Sequence, residues 1–99
     1  MKVQILDSAK ADLIEACRFY ESREAGLGDY FLTNIYTDIQ SLSIFGGLHT
    51  NPYRFYHRAL SKRFPFAIYY TVAENRVRVH AVIDCRRHPT WIRKHLGST

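Results

Sequence analysis

Asp84-Cys85-Arg86-Arg87-His88-Pro89-Thr90-Trp91 is the stretch of this sequence richest in side chains able to do chemistry. Arginine presents a planar fork of donors, so Arg86 and Arg87 suit two-point contacts with phosphate or carboxylate. The imidazole of His88 is a side-chain type suited to general acid or base work. The stretch follows an apolar alternation and precedes a helical tail, so it falls where a strand ends and the chain turns. Working residues are often held there on a rigid frame. A plainer role is open beside this one, with the two arginines paired to Asp84 or simply solvated.

A second constellation is spread over the back half of the chain. Ten of the 14 Lys and Arg residues lie from Arg54 onward: Arg54, Arg58, Lys62, Arg63, Arg76, Arg78, Arg86, Arg87, Arg93 and Lys94. Only Glu74 and Asp84 oppose them there. Alternation would put Arg54, Tyr56 and Arg58 on one strand face and Arg76, Arg78 and His80 on another, a concentrated positive surface. A solvated sheet face kept soluble by charge is the bland counterpart. The formal charge of +5 and a pI of about 9.5 favour acidic partners such as nucleic acid, a ribosome or an acidic protein segment.

Several chemistries are disfavoured. The five histidines, His49, His57, His80, His88 and His95, show no paired metal-ligand spacing, so neither a metal nor another cofactor is expected. There is no glycine-rich phosphate loop and no nucleophile elbow. Cys17 and Cys85 are too few for a disulfide framework, and their apolar surroundings suggest buried, reduced thiols. No apolar run approaches the ~20 residues of a membrane span, and the N-terminus lacks a signal-peptide pattern. A cytoplasmic protein with no membrane partner is the expectation.

The elements that must hold these residues follow from periodicity. The 99 residues fit a single domain, 1–99, and 46% hydrophobic with 23% charged residues is the balance of a globular chain. Lys2 to Leu6 reads as a short strand, and Ser8 is placed to cap the helix that follows. Ala9, Leu13, Ala16, Cys17 and Tyr20 recur at helical spacing, with Gly26 as a left-handed stop and Gly28 a further break. A second amphipathic helix runs from about Asp29 to Phe45, with Phe31, Leu32, Ile35, Tyr36, Ile39 and Leu42 as its stripe and Gly46-Gly47 at its end. So short a connection makes an antiparallel hairpin.

Three strands should form the floor under that hairpin. Tyr53 to Leu60 alternates, and Phe66 to Val72 is rich in strand formers behind Pro65. Arg76 to Asp84 alternates with Val77, Val79, Ala81 and Ile83 on one side, Arg76, Arg78 and His80 on the other. Glu74-Asn75 supplies a tight turn between them. One apolar and one basic face implies a core on one side of the sheet only. Pro89 to Leu96 reads as a short helix needing Trp91 and Ile92 to pack it.

Three stretches together carry a family resemblance. They are Gly26-Leu27-Gly28-Asp29-Tyr30-Phe31-Leu32, the strand Arg63-Phe64-Pro65-Phe66-Ala67-Ile68-Tyr69-Tyr70-Thr71-Val72, and the run from Arg76 through Arg86-Arg87-His88-Pro89. On these the chain resembles the RelE/ParE toxin superfamily over nearly its whole length. The resemblance implies an α+β fold: an N-terminal strand, an antiparallel helical hairpin packed on a small, mainly antiparallel sheet, and a short C-terminal helix. It implies the toxin of a type II toxin–antitoxin system, with a cognate antitoxin as partner and operator DNA bound only through that antitoxin. RelE-type members cut messenger RNA on the ribosome with basic residues and a late Tyr or His; ParE-type members inhibit DNA gyrase by binding.

The late tyrosine of the nuclease pattern falls at Trp91, whose indole nitrogen only donates. The basic residues ahead of the Phe66 strand are thin, Lys62 and Arg63 alone. The gyrase-directed reading is therefore favoured, without a catalytic residue, and its target-binding set is Arg58, Arg63, Arg86, Arg87, His88 and Trp91. The ribosome-dependent endoribonuclease is the alternative, with His88 as the acid and Arg58, Arg63, Arg86 and Arg87 around the scissile phosphate.

Overall fold

A computed structural model describes residues 1–53 and 55–97. Arg54 of the expected basic face lies outside them. The order is β1 (Lys2–Ile5), α1 (Asp7–Arg23), α2 (Leu27–Phe45), β2 (His57–Leu60), β3 (Phe66–Ala73), β4 (Arg76–Asp84) and α3 (Pro89–Gly97). The four strands form one sheet in the order β1-β4-β3-β2. β1 runs parallel to β4, and the other two pairings are antiparallel. Glu74 and Asn75 both take positive φ, 53° and 58°, as a two-residue hairpin turn between twisted strands requires.

The helical hairpin packs on one face of the sheet. Ala9, Leu13 and Ala16 of α1 and Phe31, Ile35, Ile39 and Leu42 of α2 bury against Ile68, Tyr70, Val77 and Val79. Leu32 is only partly buried, and Tyr36 of the predicted stripe faces solvent. The hairpin bend departs from expectation. α1 stops at Arg23 with an extended Glu24, and Gly26 (φ 88°) stands before α2 rather than closing α1. Gly28 breaks nothing: it is buried inside α2, where an added Cβ would lie 2.9 Å from both the carbonyl oxygen and Sγ of Cys17. The Glu21 carboxylate accepts from the Gly26 and Gly28 amides, which holds it below the usual carboxylate range and places an anion at the start of α2.

The opposite face is covered too, which corrects the expectation of a one-sided core. Ala67 and Tyr69 of β3, Ala81 and Ile83 of β4 and Ile92 and Leu96 of α3 form a second apolar cluster, flanked by Tyr53 and Tyr56. The cause is one residue. Tyr69 pairs with Ala81 but Tyr70 pairs with Val79, so His80 is extra in β4 and forms a bulge. Strand side chains alternate with period two, so the extra residue moves Ala81 and Ile83 to the face opposite Val77 and Val79. The regular alternation read along Arg76–Asp84 is broken there.

β1 pairs with β4 only as far as Val79. Beyond that point α1 takes over as the edge partner. The Ser8 hydroxyl donates to the His80 carbonyl at 2.7 Å, and the Val82 amide donates to Asp12 Oδ2 at 2.9 Å. Ser8 therefore does not cap α1, whose first turn starts at Asp7 behind an extended Leu6 without a side-chain cap. β2 is shorter than predicted: Tyr53 and Tyr56 meet only in an isolated bridge ahead of it. Both cysteines are free thiols, but neither is fully buried; Cys17 is half-buried and Cys85 exposed.

Candidate functional site

β4 delivers its last residues to a bend from which α3 starts. Asp84 binds the Arg86 guanidinium at two points, Nε to Oδ1 at 2.9 Å and Nη2 to Oδ2 at 2.6 Å, and also accepts the Arg86 amide. The bonds from Arg86 hold the Asp84 carboxyl below its ordinary value. Arg87 turns the other way and lays its guanidinium over the Trp91 ring, 4.2 Å from the centroid. Trp91 in turn stacks on His95, centroids 4.7 Å apart and planes 11° from parallel. His95 Nε2 lies 2.8 Å from Asp12 Oδ1. A continuous chain thus runs from Arg87 through Trp91, His95 and Asp12 to the backbone of β4. Burial raises the Asp12 carboxyl, while the Val82 amide and His95 pull it back.

His88 serves a local purpose. Its Nδ1 accepts the Thr90 amide at 3.1 Å and its carbonyl accepts the Ile92 amide, so it caps α3 ahead of Pro89. Accepting there requires an unprotonated Nδ1.

Between α1, the β4 exit and α3 lies a cleft of about 410 Å³. Its floor is Ala16, Tyr20, Phe66 and Val82, and Phe19, Arg86, Arg87 and Trp91 stand around it. Of the expected target-binding set, the cleft brings together Arg86, Arg87 and Trp91. Arg58, Arg63 and His88 do not line it. Arg58 on β2 bonds the buried Tyr69 hydroxyl instead, and Arg63 sits exposed in the bend before β3.

Of the expected basic sheet face, Arg58 stands on β2 and Arg76, Arg78 and His80 on β4, with β3 between the two strands. His80 is partly buried. Its Nε2 lies 2.9 Å from the Thr71 hydroxyl, Tyr56 packs edge-on at 5.1 Å, and burial with Arg78 nearby lowers its pKa.

Asp12, Glu15, Phe19, Tyr20 and His95 were not read as site residues from sequence. Ser8, Asp12 and Glu15 do recur at helical spacing, three to four apart, which would have shown a polar stripe on α1. That the stripe faces the edge of β4 was not readable. Among the described residues no group of three or more His, Cys, Asp or Glu could hold a metal ion, and no helix is long and apolar enough to cross a membrane.

The architecture is thus an α+β hairpin-on-sheet fold with a covering C-terminal helix. Among solved structures it is similar to a chain of a chromosomal ParDE TA system from P. aeruginosa, with a TM-score of 0.76 and 15% sequence identity, over 85% of this chain and 95% of that one. The fold is therefore ParE-like, as the resemblance implied. No protein-family description matches the chain, and no curated protein matches its sequence.

Proposed function

We propose that this protein is the toxin of a type II toxin–antitoxin pair, neutralised by a cognate antitoxin, and that it acts by binding DNA gyrase rather than by cutting messenger RNA. The observation that carries the choice is the occupancy of the β4 exit. A nuclease needs a side chain there able to pass a proton to the leaving oxygen. The late position holds Trp91, a donor only, pinned between Arg87 and His95. His88 is committed through Nδ1 to capping α3. What remains is a cleft in which Arg86, Arg87, Phe19, Tyr20 and Trp91 stand beside Asp12, Glu15, Asp84 and His95, and its arginines and aromatics are those enriched in binding surfaces. The ParE-like fold supports the same reading by analogy.

One observation favours a second reading, the ribosome-dependent endoribonuclease. His95 and Asp12 form a paired imidazole and carboxylate beside Arg86 and Arg87, a set that can move a proton near a phosphate.

Purified protein added to gyrase-driven supercoiling and, separately, to translating ribosomes decides between them. The expected result is inhibition of supercoiling with intact messenger RNA. His88→Asn, which keeps a capping side chain, should act like the parent. Ribosome-dependent cleavage lost in His95→Ala or His88→Asn would overturn the gyrase reading. Co-expression with the product of the adjoining gene should yield a stable complex and restore growth.

A further inference from the structure

Tyr70 of β3 is fully buried, and its hydroxyl meets the segment that follows α2. The phenolic oxygen accepts the Gly47 amide at 3.0 Å, and the His49 amide also acts on it. Among the described residues the hydroxyl proton has one acceptor, His49 Nδ1 at 2.5 Å. His57 of β2 stacks on the Tyr70 ring, centroids 5.1 Å apart, and donates from Nδ1 to the His49 carbonyl at 2.9 Å. One residue on, the Arg58 amide donates to the Thr50 carbonyl at 2.7 Å. β2 is the last strand of the sheet, so Thr50 covers part of its outer edge. From Gly47 to Pro52 every residue but His49 is exposed, Leu48 at 79%. Apolar burial therefore does little to hold this segment down.

We propose that His49 and Tyr70 form a proton-operated latch: a proton on His49 releases Gly47–Thr50 from β3 and bares the outer edge of β2. The latch depends neither on the toxin reading nor on its target. Hydrogen-bond polarity dictates the switch. With neutral His49 the tyrosine donates to Nδ1 and accepts from the backbone, so every partner is satisfied. Protonation puts a hydrogen on Nδ1, which sets donor against donor and strands the buried hydroxyl proton. An unpaired buried polar group is costly, and lifting the segment away relieves it. His57 is no switch, because a carbonyl accepts Nδ1–H from a neutral or a charged ring alike. Among the described residues, Tyr70 from β3 and His57 from β2 are the titratable groups that face His49. Burial and His57 hold the His49 pKa below 6.5, so the latch is closed above that value and opens as pH falls through the folded pKa.

Nuclear magnetic resonance on the nitrogen-labelled full chain, titrated from about pH 7.5 to about pH 5, tests the latch. At the upper end His49 Nδ1 should give the signal of an unprotonated ring nitrogen. As that ring titrates, the Gly47 and Arg58 amides should shift with the same midpoint. Their protection from hydrogen exchange, corrected for the intrinsic rate at each pH, should fall about tenfold. The Val79 amide in β4 should keep its protection. His49→Asn puts an oxygen where Nδ1 stood and cannot titrate, so the segment should stay closed throughout. The parent's own titration remains decisive where that variant fails to fold. The proposal is overturned if Nδ1 carries the proton at about pH 7.5, if His49 titrates while Gly47 and Arg58 stay protected, or if the transition persists in His49→Asn. None of these outcomes depends on toxicity, so a failed gyrase assay and a failed latch are told apart.

Discussion

The two layers that cover the sheet are fastened in different ways. The hairpin layer is broad: Phe31 alone stacks on Tyr20 at 5.0 Å and meets Phe64 and Phe66 edge-on at 5.0 and 5.1 Å. α3 buries two apolar side chains, Ile92 and Leu96, and owes the rest of its hold to the Arg87–Trp91–His95–Asp12 chain and to the Tyr56 hydroxyl on the Leu96 carbonyl at 3.4 Å. Apolar area scales with the number of buried side chains, whereas a polar fastening depends on a few geometries. The hairpin therefore carries the global stability. α3 is a local unit able to open while the rest stays folded. The cleft is built across the boundary between the two.

The sharpest way to break this comparison is on the hairpin side. Phe31→Ala should cost about 3–5 kcal/mol, lower the midpoint of urea unfolding and leave one cooperative transition. A loss below about 1 kcal/mol would mean that the aromatic cluster is not the centre of the core.

Asp12→Ala is next. It removes the acceptor of the Val82 amide and the partner of His95 together, an effect of about 1–3 kcal/mol. Hydrogen exchange should quicken first in α3 and at Val82, with the α2 amides much less affected. Uniform quickening would show that α3 and the hairpin open as one unit.

The pH dependence is smaller and has a definite sign. His49 sits in the loop after α2, bonded through Nδ1 to the Tyr70 hydroxyl at 2.5 Å, and burial with His57 nearby lowers its pKa. Burial lowers that of His80 as well. Groups whose folded pKa is depressed contribute stability that is whole above the unfolded value of 6.5 and lost as pH falls through the folded values. Unfolding midpoints should therefore drop on acidification below 6.5, and His49→Gln should flatten part of that slope. A midpoint unchanged across this window would refute the assignment.

The smallest effect is expected from Arg86→Lys with Arg87→Lys. Arg86 is exposed and its pair with Asp84 is screened by water, so the unfolding midpoint should hardly move. Toxicity should fall all the same, because lysine lacks the planar fork. Full toxicity in the double Ala variant would reduce these arginines to surface charge.

The kinds and order of the elements could be read from the chain because they rest on local rules. Phe66 to Val72 has strand-forming residues whatever it packs against, and Asn75 tolerates the positive φ the turn demands. Phe31, Ile35, Ile39 and Leu42 recur at helical spacing and are all fully buried. Arg86, Arg87 and Trp91 could likewise be picked out, since they are close in sequence and the strand end presents them together. Arg58, Arg63 and His88 were grouped with them on chemical type, and type does not fix distance.

Tertiary structure alone decided the rest. Asp12 and His95 are 83 positions apart and meet only because α1 takes the edge of β4 that β1 leaves at Val79. The faces of Ala81 and Ile83 hang on the register against β3, where the one extra residue at His80 reverses them. A bulge changes no local preference, so the alternation of Arg76–Asp84 reads the same with it or without it. By itself the sequence determined which segments are helix and strand and which charges the strand end carries. Whether the sheet is covered on one face or two, and whether a cleft opens beside those charges, was settled by pairings between distant segments that no local pattern encodes.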